Sequence, residues 1–240
     1  LPGLDALAIG AHADDVELGC GGTLALLAEK GYRTGILDIT DAALSTRGDI
    51  ATRAAEAALA AEILKAERWN LGARESAIYP DAGNLEHLVQ LLRATRPTLL
   101  IVHYETDRHP DHSAVSRLTR EAVFWAGVIK FSPGLEPHRP RRVFHYFAHI
   151  EGPVSLIVDV SRHHAQKMAA VCAYRSQFFT ASGEAPDTFI SRPEFMDRVE
   201  TRARHYGDMI GVRYGEAFHV REAIRIENPI EWTLRQGDLG

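Results

Sequence analysis

Two short, wholly apolar runs, Ala6–Ile9 closed by Gly10 and Leu99–Val102, each give way to a polar segment that carries histidine and aspartate. A run this short with no polar residue on either alternation fits a strand covered on both faces, the habit of parallel sheets in α/β proteins. Helical patterns lie between such runs. A helix is predicted over Thr23–Lys30, stopped by Gly31, with a Gly-rich turn at Gly19–Gly22 leading into it. A second strand follows at Arg33–Asp38, a polar loop at Thr40–Asp49, an Ala-rich helix at Ile50–Lys65 and a short strand at Arg68–Leu71. Leu85, Leu88, Val89, Leu91 and Leu92 mark one face of a helix over Leu85–Arg96, which Pro97 ends.

Pro110 opens the next helix, through Val128, at a position where its missing N–H costs nothing. Phe131–Arg142, with Pro133, Gly134, Pro137 and Pro140, reads as loop. Val143–Ala148 and Leu156–Val160 read as strands, with Ser161 as the N-cap of a helix through Tyr174. A loop over Ala181–Asp187, an amphipathic helix over Glu194–Ile210 and a last strand at Phe218–Val220 complete the pattern. No repeat, low-complexity tract or linker divides the 240 residues, so the expectation is one α/β domain, 1–240, with a mostly parallel sheet flanked by helices on both faces.

A net charge of −5 favours no polyanionic partner, so nucleic acid is not expected. The short basic cluster Arg139, Arg141 and Arg142 reads as a solvated loop. No apolar stretch approaches the ~18 residues that cross a bilayer, and no secretory signal pattern opens the sequence. Cys20 and Cys172 are too few for a disulfide framework, which suits a reducing cytoplasm; Cys20 is expected to be a small buried residue rather than a nucleophile.

The chemistry concentrates after the two apolar runs. His12, Asp14, Asp15 and Glu17 follow the first, and His109, Asp111 and His112 follow the second. In a doubly wound sheet of order 3-2-1-4 the first and fourth strands are neighbours, and ligands sit at the carboxyl ends where the strand order reverses. The two clusters are therefore expected to converge. Imidazole and carboxylate donors that leave a position open are the pattern of catalytic zinc, whose water acquires a pKa of about 7. The assignment is His12, Asp15 and His112 as zinc ligands, with Fe2+ or Co2+ also suited to such donors. Asp14 is the candidate general base, and His109 the group that stabilises an oxyanion or protonates a leaving amine. Asp111 is expected to orient His109, and Glu17 to give weaker outer support. His163 and His164 are expected on solvated faces, and His219 is left undecided. A dinucleotide-binding module, with Asp38 as its ribose acid, is the rival reading; His12 stands where G-x-G-x-x-G requires its second glycine.

With those residues in hand the chain resembles the PIG-L/LmbE-like zinc-dependent N-acetylglucosaminyl deacetylases, and most of all their bacillithiol-biosynthesis branch. The family's first motif stands here as AHADDVE, Ala11–Glu17, followed by LGCGGT, and its second, HPDH, is intact at His109–His112. TRGD (Thr46–Asp49), DRHPDH (Asp107–His112), PHRPRRV (Pro137–Val143), AYRSQF (Ala173–Phe178) and IGVRYGEAF (Ile210–Phe218) extend the likeness nearly end to end. The resemblance implies a Rossmann-like fold and removal of an N-acetyl group from a GlcNAc-containing substrate such as GlcNAc-malate, the rival substrate being another N-acetyl sugar such as a chitin-derived disaccharide or an antibiotic precursor. It implies the same three zinc ligands, Asp14 as base and His109 as its electrophilic partner. It places Arg53 where the branch binds substrate, and it implies a homo-oligomer, commonly a hexamer, with contacts in the aromatic C-terminal part. Ala13 replaces the motif's proline, and Tyr79–Leu85 departs from the usual pattern in a loop expected at the substrate mouth.

Overall fold

The structure is a computed structural model that describes residues 3–178 and 186–235. The loop expected over Ala181–Asp187 lies mostly outside the described residues. In chain order the first half contains β1 (Ala6–Gly10), α1 (Asp15–Glu29), β2 (Thr34–Thr40), α2 (Ile50–Leu64), β3 (Glu67–Ala73), α3 (Ala82–Thr95), β4 (Leu99–His103) and α4 (Pro110–Ala126). The second half contains β5 (Arg142–Tyr146), β6 (Leu156–Asp159), α5 (His164–Cys172), α6 (Arg175–Phe178), α7 (Pro193–Asp208), β7 (Gly215–His219) and α8 (Pro229–Arg235).

The strands form one sheet of order β3-β2-β1-β4-β5-β7-β6. From β3 to β5 every neighbour is parallel, and β7 runs antiparallel to both β5 and β6. The predicted adjacency holds: Ala8 pairs with Ile36 on one side and with Ile101 on the other. Alternation along the strands divides the core into two layers. Ala8, Ile36 and Ile101 face α1, α2 and α5, packing on Val16, Leu24, Leu64 and Val171. Leu7, Ile9, Leu37, Leu100 and Val102 face α3 and α4, packing on Leu88, Leu92, Val115 and Leu118. This α/β architecture carries helices on both faces, as expected.

Four expectations are corrected. Gly19–Gly22 is no turn before a helix; it lies inside α1, which breaks at Cys20 (φ −145°, ψ 20°) and resumes. The buried Glu216 carboxylate accepts from Gly22 N at 2.9 Å, Thr23 N at 2.7 Å and Thr23 Oγ1 at 2.6 Å, so it caps the second segment as a side chain caps a helix start. Lys167 Nζ balances it at 2.6 Å. Gly19 is required by packing, since a Cβ there would fall 2.2 Å from the Tyr146 ring. Second, Ser161 does not cap α5; its Oγ accepts from Tyr214 N at 3.1 Å and helix begins at His164.

Third, His163 and His164 are buried rather than solvated. His163 Nε2 lies 2.8 Å from Glu29, and His164 Nε2 lies 2.7 Å from Glu200 while its ring stacks on Tyr214 at 3.8 Å. Fourth, β7 spans Gly215–His219 rather than Phe218–Val220. A glycine and a glutamate at its start hide the strand, because the glutamate is neutralised by groups far away in sequence. Cys20 is fully buried, as expected, and burial raises its thiol pKa well above the ordinary value. Among the described residues no helix is long and apolar enough to cross a membrane.

Candidate metal centre and active site

The carboxyl ends of β1 and β4 lie side by side, and the segments that follow them meet over the sheet edge. After Gly10 the chain turns sharply. His12 N donates to Asp15 Oδ2 at 2.8 Å, Asp15 N donates back to His12 O, and Asp14 carries φ 116°. That left-handed backbone costs a non-glycine residue ~1–3 kcal/mol, a strain that accumulates where geometry is dictated by chemistry. After β4, His109 caps α4 with its own ring: Nδ1 accepts from Asp111 N at 3.3 Å, and Pro110 occupies the first turn.

The predicted donors come together. Asp15 Oδ2 lies 3.4 Å from His12 Nδ1, and Asp15 Oδ1 lies 3.3 Å from His112 Nε2. The His12 and His112 rings are 5.7 Å apart between centroids, with His109 4.8 Å from His12 and 4.9 Å from His112. One donor atom each from His12, His109 and His112 lies within 4.8 Å of the others, as does one each from Asp15, His103 and His112.

The donor chemistry suits a divalent cation. Burial opposes charge on His12, yet the Asp111 and Asp15 carboxylates outweigh it and carry its pKa up to about 10. His112 behaves alike: burial is overcome by Asp15 and Asp107, and its pKa rises to about 9. Without a cation, protons neutralise the carboxylates; with one, those protons leave. Asp107 Oδ1 sits 3.0 Å from His112 Nδ1 and so fixes the ring with Nε2 toward Asp15, the usual support for a ligating imidazole.

Among the residues that reach this centre without a role assigned from sequence are Asp107, His103, Glu75, whose Oε1 lies 3.7 Å from His12 Nε2, and His149, which stacks on His112 at 5.5 Å. Asp107 also accepts from His109 N at 2.9 Å and His149 N at 2.8 Å, tying three segments to one carboxylate. His103 closes β4, is buried, and stacks on His112 at 4.0 Å with Nε2 3.1 Å from Asp15 Oδ2. Burial, reinforced by His112, brings His103 down to about 4, so it is neutral near pH 7. The signal for Asp107 was its place in DRHPDH, and for His103 its place as the residue that ends an apolar run.

Asp14 lines the cavity beside the centre. Burial raises its pKa to about 6 against the pull of Arg53, whose Nη2 lies 3.3 Å from Asp14 Oδ2. Arg53 also donates to the Ala13 carbonyl, while its Nε and Nη1 are buried with no hydrogen-bond partner among the described residues. What it does in this geometry is hold Asp14. His109 has its pKa lowered by burial and by the nearby His12 and His112. With Nδ1 accepting from Asp111 N, the neutral ring carries its proton on Nε2.

Asp111 is a correction: its carboxylate does not orient the His109 ring but lies 3.2 Å from His12 Nε2 and accepts from Ser76 N. His109 bends back over the Asp111 amide to cap the helix, which leaves the Asp111 side chain aimed at His12. Glu17 is buried below the centre, where Arg68 at 2.6 Å and Tyr174 Oη at 2.9 Å hold it. Arg68 also grips Asp38 through two bonds of 2.7 and 2.8 Å, so Asp38 is not free to receive a ribose. His219 lies outside the cavity, bonded to Pro153 O and set against Tyr104. Tyr79–Leu85 lines none of it; the wall comes instead from Leu44–Thr46, Glu75, Phe189 and α7. The cavity measures about 800 Å³, room for more than an acetyl group.

A family model described as GlcNAc-PI de-N-acetylase matches residues 7–123, which include both motifs. The diacetylchitobiose deacetylase of Thermococcus kodakarensis is 29% identical over 228 residues, 88% of this chain and 80% of its own length. The conserved protein TT1542 from Thermus thermophilus superposes with a TM-score of 0.85 at 37% identity, covering 93% of this chain and 97% of that one. The N,N'-diacetylchitobiose deacetylase from Pyrococcus horikoshii does so with a TM-score of 0.78 at 27% identity, covering 90% and 82%. The family match over residues 7–123 and the near full-length likeness in fold agree: the chain carries a PIG-L family domain, and deacetylases are among its relatives.

Proposed function

We propose that this protein is a zinc-dependent amidohydrolase that removes the N-acetyl group from a GlcNAc-containing conjugate, with GlcNAc-malate or a close relative as substrate. The observation that carries the reading is the meeting of His12, Asp15 and His112 at the joined ends of β1 and β4, with Asp14 beside them in the same cavity. Those three residues would hold the cation, which supplies Lewis acidity toward the acetyl carbonyl and a water. Asp14, ionised at neutral pH and steadied by Arg53, takes the proton of the attacking water. His109 donates a hydrogen bond from Nε2 to the developing oxyanion, and the proton that Asp14 took from water passes to the departing amine. Asp107 and His103 hold the ligands in place. The PIG-L domain supports the reaction type, and the segments that resemble the bacillithiol branch, TRGD to IGVRYGEAF, support the conjugate. A cytoplasmic homo-oligomer completes the reading.

A second substrate, a chitin-derived disaccharide, is favoured by the likeness over 88% of the chain to a diacetylchitobiose deacetylase. The dinucleotide-binding alternative loses its acid, because Arg68 occupies Asp38. The test is acetate release from GlcNAc-malate and N,N'-diacetylchitobiose before and after a chelator, with zinc, iron and cobalt added back singly. Turnover that survives complete metal removal would refute the proposal.

A further inference from the structure

Arg53 is a buried cation with few hydrogen bonds. Its side chain is 4% exposed, and the bonds it makes, to Asp14 Oδ2 and to the Ala13 carbonyl, both leave from Nη2. Nε and Nη1 are buried with no hydrogen-bond partner among the described residues. A guanidinium stripped of water and left short of acceptors is costly unless something else faces it. What faces it is an aromatic ring: Arg53 Cζ lies over Tyr174, 5.3 Å from the ring centroid. The negative π-face of a desolvated ring attracts a cation without using its hydrogen-bonding directions.

Tyr174 is held in turn. It stands between α5 and α6, where its N donates to Val171 O at 3.1 Å and its carbonyl accepts from Gln177 N at 3.0 Å, and its side chain is fully buried. Its hydroxyl donates to Glu17 Oε1 at 2.9 Å, and burial, reinforced by Glu17, raises the phenol pKa well above the ordinary value, so the proton stays in place. Hydrogen bonds in a dry interior polarise their partners, and a phenol that donates to a carboxylate becomes richer in electrons at the ring. Glu17 therefore strengthens the face on which Arg53 rests. Core packing alone would be met by phenylalanine at 174 and does not call for a carboxylate buried beside it. Asp14 is the N-cap of α1 and Glu17 lies in its first turn, so the contacts Asp14–Arg53–Tyr174–Glu17 leave that turn and come back to it.

We propose that Tyr174 is a positioning residue of the reaction: its ring, made electron-rich by Glu17, is the platform that keeps the Arg53 guanidinium against Asp14 and so keeps the base aimed. The proposal rests on the deacetylase reading for what Asp14 does. It gives Glu17 a route of action through Tyr174 and Arg53, on the side of the base.

The experiment compares kcat and KM for acetate release from GlcNAc-malate and N,N'-diacetylchitobiose by the zinc-loaded wild type, Tyr174→Phe, Tyr174→Met, Arg53→Met and the double variant Arg53→Met/Tyr174→Met. Tyr174→Met fills the space without a π-face, and it is expected to lower kcat about tenfold with KM within about twofold. Tyr174→Phe keeps the ring and most of the rate. In the Arg53→Met background the Tyr174→Met change should cost less than about twofold, because the guanidinium through which it acts is gone. An equal loss in both backgrounds overturns the proposal, since a packing defect acts whether or not Arg53 is there. A Tyr174→Met enzyme as fast as the wild type overturns it too. NMR decides without turnover: the Arg53 Nε–H signal, identified by its loss in Arg53→Met, is expected upfield in the wild type and Tyr174→Phe, shielded by the ring, and further downfield in Tyr174→Met. A wild-type signal at the ordinary arginine position refutes the platform even where a substituted chain does not fold. Absence of acetate from every N-acetyl sugar would defeat the reaction assignment and leave that signal to judge the contact by itself.

Discussion

Asp14 is held at φ 116° with its carboxylate against Arg53, so its position is fixed by backbone and by charge at once. Asn is the best substitute because it tolerates positive φ and keeps the shape while removing the base. Asp14→Asn is expected to bind one cation per chain by metal analysis and to lose ~10²–10⁴ in kcat. Asp107→Asn should instead weaken cation affinity by ~10–100-fold in a competition titration, since it loosens His112 rather than removing a donor. Because His12 and His112 hold protons up to about 10 and about 9 when no cation is bound, each binding event expels protons. Affinity therefore strengthens as pH rises from 6 to 9, and calorimetry in buffers of different ionisation enthalpy measures the protons released.

The meeting of His12, Asp15 and His112 was legible because an HxxD turn and an HPDH helix start each fix local geometry. The direction of the Asp111 carboxylate was not, because the rotation of its first helical turn depends on His109 capping that turn. Asp107 and His103 gave no comparable signal, since Asp107 also ties in His149 from beyond β5 and His103 meets Asp15 from beyond β1.

At the scale of elements, apolar runs and Pro and Gly stops marked most strands and helices, as at Gly31, Pro97 and Pro110. The reading failed where a polar residue is buried with a distant partner. Glu216 hides β7 and breaks α1 at Cys20, and neither effect has a local signature. Glu216→Ala leaves Lys167 charged and unpaired in the core and the second segment of α1 uncapped; a loss of ~3–5 kcal/mol is expected in urea unfolding.

Tyr214 Oη donates at 2.7 Å to Glu200 on α7, and this bond, with His164 and Arg204, brings the Glu200 carboxyl down to about 2 from the usual 4.5. A depressed carboxyl stabilises the fold fully above 4.5 and progressively less as pH falls toward 2. The difference in stability between wild type and Glu200→Gln should therefore narrow over that interval in thermal melts. A constant difference would show the tie to be inert.

For the whole molecule, the chain beyond Val220 offers Ile224, Ile230, Trp232 and Leu234 with 46–78% of their surface exposed. Apolar side chains this exposed and this close in sequence suit a contact, and the proposed homo-oligomer would place a second copy there. Trp232→Arg should shift the mass seen in light scattering toward the monomer; an unchanged mass would place the contact elsewhere.

Pairing of β1 with β4 has a temporal consequence as well. His12 and Asp15 leave the ribosome long before His112, and only the Ala8–Ile101 ladder brings them within reach of one ion. A nascent polypeptide that stops short of β4 owns half a chelate. On the proposed metal reading ion capture is a late event in synthesis, and a cobalt absorption band that grows in during refolding would time the closing of the central ladder.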